Sequence, residues 1–197
     1  MKSIFKALLA AALLLPCLAF AAGKGAGEKL RTPKLPAGFA AVFRDNSNGV
    51  DMTEYVPKGQ SVEKWQEMIT IQVMGSKQRP SAEGIYRFIS QSWIGVCGDG
   101  SVQKTEVPPT LNGYPVIAWV AGCLNNPQSG TPEFTFFKAI EGRDALYIAQ
   151  YAFRHEPDYA EADRASRYLR AVSVCDSRVK AGEPYSCAGG KAGGKKK

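Results

Sequence analysis

The sequence contains few of the residues on which enzyme active sites most often depend. Histidine occurs once in 197 residues, as His155, so a site of the Ser-His-Asp type would have to use that imidazole. The nucleophile motif G-x-S-x-G, phosphate-binding loops and cysteine pairs of the C-x2-C kind are absent. Carboxylates are numerous, but no two of them stand out as the pair of a hydrolase. The sequence therefore predicts no catalytic residue, no cofactor and no metal site.

Long hydrophobic runs are also missing, because no stretch approaches the roughly 18–20 apolar residues that span a bilayer. The N-terminal apolar run, Ala7–Leu15, follows two lysines and precedes the A-x-A sequence Ala19–Ala21, which is typical of a secretory signal peptide. Cleavage after Ala21 predicts an exported protein, periplasmic or secreted. The alternative is lipoprotein processing at Cys17, which would anchor the chain to a membrane, but a proline fits poorly before such a cysteine.

The body of the chain lacks a basic stripe, although the formal net charge is +7. Between residues 36 and 187 there are 15 Lys and Arg against 17 Asp and Glu, so the positive charge is concentrated at the two ends. Together with export, this balance predicts no specific nucleic-acid binding. The Gly- and Lys-rich ends predict flexible segments. The expected organisation is a signal peptide over 1–21, a flexible lead-in over 22–36, a single domain over 37–187 and a flexible Lys/Gly tail over 188–197.

Four cysteines remain after the signal peptide, at Cys97, Cys123, Cys175 and Cys187. An even number in an exported chain favours disulfides over free thiols, and three pairings are possible. We predict the pairing of sequence neighbours, Cys97 with Cys123 and Cys175 with Cys187. On the chain-entropy model each closed loop would stabilise the fold by roughly 3 kcal/mol.

The apolar pattern predicts an α+β fold, in which an antiparallel sheet of about six to seven strands packs with two or three helices and disulfides staple the domain. The clearest signal is a hairpin, in which strands at 134–140 and 145–153 flank a polar turn. Hairpin-linked strands argue for antiparallel pairing. Helices are predicted to begin at Ser61, at Ser81 and near Pro157. In the second of these, a stripe of apolar residues at helical spacing is predicted to be core: Ile85, Phe88, Ile89 and Trp93.

One segment carries a family resemblance. The sequence TEYVPKGQSVEKWQEMITIQV at Thr53–Val73 resembles a pattern in small exported proteins of Gram-negative bacteria, most of them hypothetical proteins or lipoproteins of unassigned function. Leu169–Cys175, followed by Cys187, is similar to the end of those chains. The predicted topology is also similar to the α+β sandwich of the extrinsic subunits of the oxygen-evolving complex, which are adaptor or binding domains. The resemblance implies fold and export, and it transfers no catalytic residue.

Two aromatic residues in this segment are the candidate interaction surface. These residues are Tyr55 and Trp65. In the structural interpretation, Trp65 and Met68 pack the short helix after Ser61 against the sheet. The functional interpretation is that Trp65, flanked by Tyr55, faces a ligand.

The function that best fits these observations is a non-enzymatic periplasmic or secreted binding protein, with an inhibitor or immunity type as one version. Its partner would be a protein or an envelope ligand. Two alternatives remain: an envelope hydrolase that uses carboxylates, and an accessory subunit that its Lys-rich ends tether to an anionic envelope surface.

Overall fold

The structure is a computed structural model that describes residues 27–75, 79–108 and 110–188. The predicted signal peptide, Cys17 and the Lys/Gly tail beyond Ala188 lie outside the described residues. Within the described part of the chain, no helix is long and apolar enough to cross a membrane.

The described residues form ten strands and two helices. The helices are α1 (Ala82–Val96) and α2 (Tyr159–Ala171). In chain order, the strands are β1 (Glu28–Arg31), β2 (Phe39–Ser47), β3 (Val50–Pro57), β4 (Glu67–Met74), β5 (Ser101–Lys104), β6 (Thr110–Leu111), β7 (Tyr114–Asn126), β8 (Thr131–Glu141), β9 (Leu146–Phe153) and β10 (Ser173–Asp176).

Seven of the strands follow one another in a single antiparallel sheet with the order β2-β3-β4-β9-β8-β7-β5, and the short β6 pairs with β7. The remaining strands, β1 and β10, form a separate antiparallel pair. The predicted α+β class is confirmed, with seven strands in the main path, two helices and two disulfides.

Turn residues explain two of the hairpins. Asn48 and Gly49, between β2 and β3, have φ values of 52° and 76°, and Asn112 and Gly113, before β7, have 53° and 85°. Two consecutive residues with positive φ are typical of the type I′ turn, whose twist matches that of the strands it joins. Local chemistry therefore determines where these strands reverse.

The two helices lie on opposite faces of the sheet. The face under α2 presents Tyr151 and Phe153, which pack with Leu169 in one hydrophobic cluster. The face under α1 presents Trp119 and Phe137, whose rings stack with centroids 4.7 Å apart. Side chains alternate between the two faces along a strand, and a helix covers each face. The central strands are therefore apolar on both faces.

The predicted helix after Ser61 is wrong, because this segment is a loop that leads into β4. Ser61 N–H donates to the Lys64 carbonyl at 3.1 Å, and Gln66 N–H donates to Gln60 Oε1 at 2.7 Å. Only a few residues separate Ser61 from Glu67, where pairing with β9 begins. A helix of that length would form too few internal hydrogen bonds to persist.

The lead-in also differs from the prediction. Within the predicted flexible segment 22–36, residues 28–31 form β1 and pair with β10. The Glu28 carboxylate accepts hydrogen bonds from the backbone N–H groups of Arg143 and Asp144, at 2.7 and 2.8 Å. These long-range contacts order a segment whose own sequence shows no apolar period.

The disulfides join Cys97 to Cys123 and Cys175 to Cys187, the pairing that the sequence predicts. The first ties the C-cap of α1 to β7, and the second ties β10 to the last described segment. Each disulfide therefore fixes an element that adjoins the main sheet.

Candidate functional site

An apolar cleft lies between α1 and the turn that joins β7 to β8, and we call it the α1 groove. Its volume is about 240 Å³. Its walls are mainly apolar and include the first disulfide: Phe88, Ile89, Trp93, Val96, Cys97 and Cys123. The fold therefore leaves a hydrophobic concavity open beside a helix.

The apolar stripe of α1 is wider than the part that the sheet covers. Ala82 and Ile85 are buried, whereas Phe88 is 65% exposed and Val96 is 45% exposed. The prediction that Phe88 belongs to the core is wrong, because its side chain lies on the flank of α1 and lines the groove. Exposed large apolar side chains around a concavity are typical of interaction sites.

The groove wall is held in place by specific contacts. The Trp93 indole Nε1–H donates to the Gly122 carbonyl at 3.1 Å, and its ring meets Phe137 edge-on with centroids 6.2 Å apart. The Cys97–Cys123 disulfide fixes the end of α1 to the same strand. A wall positioned in this way loses little conformational entropy when a ligand binds.

A carboxylate completes the groove at the β7–β8 turn. Glu133 Oε2 accepts a hydrogen bond from Asn126 Nδ2 at 2.8 Å, and Asn126 Oδ1 accepts one from Gln128 N–H at 2.9 Å. All three residues line the groove. Burial raises the pKa of Glu133, while the hydrogen bond from Asn126 and the positive charge of Arg154 partly offset this effect. The result is a partly desolvated carboxylate in a fixed orientation.

A polar cleft of about 390 Å³ adjoins the groove and includes Thr131 and Arg154 in its lining. Thr131 and Glu133 are two residues apart on β8, so their side chains point to the same face. The Arg154 guanidinium lies 4.2 Å from the centre of the Trp65 ring, and its Nη1 donates to the Glu63 carbonyl at 2.7 Å. Arg154 is therefore held by Trp65 and Glu63 rather than by Glu133.

The structure does not bring Tyr55 and Trp65 into one surface. Tyr55 packs against the cluster under α2. Trp65 packs with Val56, which directly follows Tyr55 on β3. Neighbouring residues on a strand point to opposite faces, so the two aromatic side chains lie on opposite sides of the sheet. Trp65 is only 6% exposed and Arg154 covers its ring, which fits the structural role.

Two carboxylates on the α1 face have raised pKa values because of burial, Glu54 and Glu133. Across the sheet, the strand pairing leads from Glu54 to Thr70, then to Gln150 and finally to Phe137 on β8. Three strand spacings of about 4.8 Å therefore separate Glu54 from Phe137. Glu133 lies four residues further along that strand, about 13 Å. Glycosidase carboxylates are at most about 9.5 Å apart, so these two cannot act as such a pair.

The single histidine has a local partner. His155 Nε2 lies 3.0 Å from Glu161 Oε2, and Glu161 also accepts the Asp158 N–H at 3.0 Å in the capping box of α2. His155 therefore contacts the start of a helix and does not line the α1 groove.

No protein-family model and no curated protein matches the chain. Solved structures with a similar arrangement of elements include a point mutant of the protein Mog1, with a TM-score of 0.45 and 12% identity over 73% of this chain and 89% of that one. The Ran-binding protein Mog1p of Saccharomyces cerevisiae gives a TM-score of 0.43 and 11% identity, over 76% and 96% of the two chains. LpqN of Mycobacterium tuberculosis, which is involved in cell envelope biogenesis, gives 0.40 and 10%, over 78% and 87%.

Proposed function

We propose that this protein is a non-enzymatic binding protein that captures a protein partner through the α1 groove. The observation that carries the proposal is the exposure of Phe88 and Val96 at the edge of a concavity whose wall is already ordered. Burying such side chains against a partner is favourable by about 25 cal/mol per Å² of apolar surface. Phe88 is the residue of this protein that is expected to contribute most to the binding energy of the interface.

The proposed place of action is outside the cytosol. The N-terminal sequence of the signal-peptide type, the two disulfides and the resemblance of residues 53–73 to exported proteins all support it. An inhibitor or immunity protein would combine export, small size and a preformed binding surface, and it is the version we favour.

The test compares two substitutions on one helix. Phe88→Ser removes an apolar side chain that lines the groove, and Ile94→Ser removes one that is 47% exposed on the same helix and is not part of the groove lining. Both side chains are exposed, so each substitution should change the free energy of unfolding by less than about 0.5 kcal/mol. The pair therefore separates binding from stability.

Tagged wild-type protein and both variants would be incubated with an envelope extract of the source cells, and the recovered proteins quantified by mass spectrometry. We expect a stoichiometric partner with the wild type and with Ile94→Ser. Its affinity for Phe88→Ser should be lower by roughly 30-fold, the effect of losing a hot-spot residue. Equal recovery by all three proteins would contradict the proposal. Cleavage of peptidoglycan or model esters by the purified protein, abolished by a carboxylate substitution, would favour a hydrolase instead.

A further inference from the structure

The α1 groove contains one ionisable group in its lining, Glu133, and the surroundings of this group indicate which chemistry it can accept. Asn126 fixes one carboxylate oxygen, Oε2, and is itself fixed by the N–H of Gln128. Among the hydrogen bonds of the described residues, none involves the other oxygen, Oε1. The carboxylate is thus oriented by the protein while part of its hydrogen-bonding capacity remains available to a ligand.

The positive charge that acts on Glu133, that of Arg154, does not use that capacity. Arg154 acts on Glu133 through space, but its guanidinium stacks on Trp65 and donates to the Glu63 carbonyl. A partly buried carboxylate without a hydrogen-bonded cation is stabilised when a partner brings one, whereas an acidic partner would be repelled.

The size of the groove indicates what accompanies that cation. A volume of about 240 Å³ is below the roughly 300–1,000 Å³ of sites that enclose a drug-sized molecule. It suits one large apolar side chain that enters between Phe88 and Trp93, as the anchor residue of a protein segment does. Glu133 lines the same cleft, and successive Cα atoms are about 3.8 Å apart, so the cationic residue must be a close sequence neighbour of the anchor.

We propose that the partner segment seated in the α1 groove carries a large apolar side chain next to a lysine or arginine, and that Glu133 binds the basic group. This inference rests on the proposed function and names the partner chemistry that the same site would recognise. Phe88 and Trp93 provide the apolar contact, and Glu133, oriented by Asn126, provides the charge contact.

The first test is selection from a library of random heptapeptides displayed on phage, with the full protein immobilised. Wild-type protein and Ile94→Ser should enrich peptides in which a large apolar residue neighbours Lys or Arg. Glu133→Gln keeps the length of the side chain and an acceptor for Asn126, so it should retain the apolar preference and lose the basic one. Phe88→Ser should lose the apolar preference.

The second test is a double-mutant cycle with the best selected peptide. Replacing its basic residue by methionine should weaken binding to the wild type about tenfold, the usual effect of losing a charge-assisted hydrogen bond. The same replacement should have no further effect on binding to Glu133→Gln. Thermal unfolding of this variant should match that of the wild type within a few degrees, which would show that the groove is intact.

The outcomes separate the two proposals. Apolar enrichment without a basic preference, or equal effects of the peptide substitution on the wild type and on Glu133→Gln, would overturn this inference and leave the proposed function standing. If no enriched peptide depends on Phe88, both the proposed function and this inference are overturned.

Discussion

A buried lysine links the main sheet to α2, and its ionisation should make the stability of the protein depend on pH. The Lys138 side chain is 5% exposed. Its ammonium donates to three carbonyls at the end of α2, those of Leu169 at 3.0 Å, Arg170 at 3.2 Å and Val172 at 2.7 Å. Burial lowers the pKa of Lys138 to about 8, whereas the carbonyls at the negative end of the helix dipole favour the charged form. The two effects can be separated by measuring stability against pH.

The expected direction follows from proton linkage. In the unfolded chain Lys138 is half deprotonated at its ordinary pKa of 10.5, while in the folded protein it is already half deprotonated near pH 8. Between these values the unfolded state binds more protons, so the free energy of unfolding rises with pH. One pKa unit corresponds to about 1.36 kcal/mol, and the rise between about pH 7.5 and 9.5 is therefore about 2 kcal/mol.

The assay is urea unfolding of the wild type and of Lys138→Met across that pH range. Methionine keeps the unbranched chain and removes the charge, so the difference between the two proteins isolates Lys138 from the other titrating groups. We expect the difference in unfolding free energy to change in favour of the wild type by about 2 kcal/mol as the pH rises. A difference that is the same at every pH would refute the reasoning, because it would show that the three carbonyls fully compensate the burial.

Two further predictions concern the elements beside the sheet. Replacing Cys97 and Cys123 by alanine removes a cross-link with a sequence separation of 26 residues, and it should lower the free energy of unfolding by about 3–4 kcal/mol, measured by thermal unfolding. Replacing Asp158 by alanine removes the acceptor of the Glu161 N–H at 2.8 Å, and it should cost about 1 kcal/mol, measured by urea unfolding. The matched control is Asp163→Ala, which removes the exposed ion pair between Asp163 and Arg167 on α2. This substitution should lower the free energy of unfolding by well under 1 kcal/mol.

The sequence indicates much of the fold because the relevant signals are local. The hairpin of β8 and β9 follows from two apolar runs around a polar turn, and both helices begin at residues that cap them, Ser81 and Asp158. Turn chemistry places Asn112 and Gly113 where the chain reverses. The segment after Ser61 has a good capping residue and helical spacing, and these local signals predict a helix. The long-range pairing of β4 with β9 leaves no room for that helix.

The candidate site is less visible in the sequence. Asn126 and Glu133 lie on either side of the β7–β8 turn, and an irregular register between Cys123 and Asn126 sets their approach. No local pattern predicts that contact. Helical spacing correctly places Phe88 on the apolar stripe of α1, but only the position of the helix over the sheet decides that its side chain stays exposed.

The sequence by itself determined the α+β class, the turns and the starts of both helices, and it favoured the observed disulfide pairing among three possible ones, since each signal depends on residues close together in the chain or on simple alternation. The tertiary structure decided the rest. It ordered β1 against β10, placed Tyr55 and Trp65 on opposite faces of the sheet, and left a groove between α1 and Glu133. The physical reason is that exposure and side-chain proximity depend on how elements distant in the chain pack together. The spacing of residues within one element carries no information about that packing.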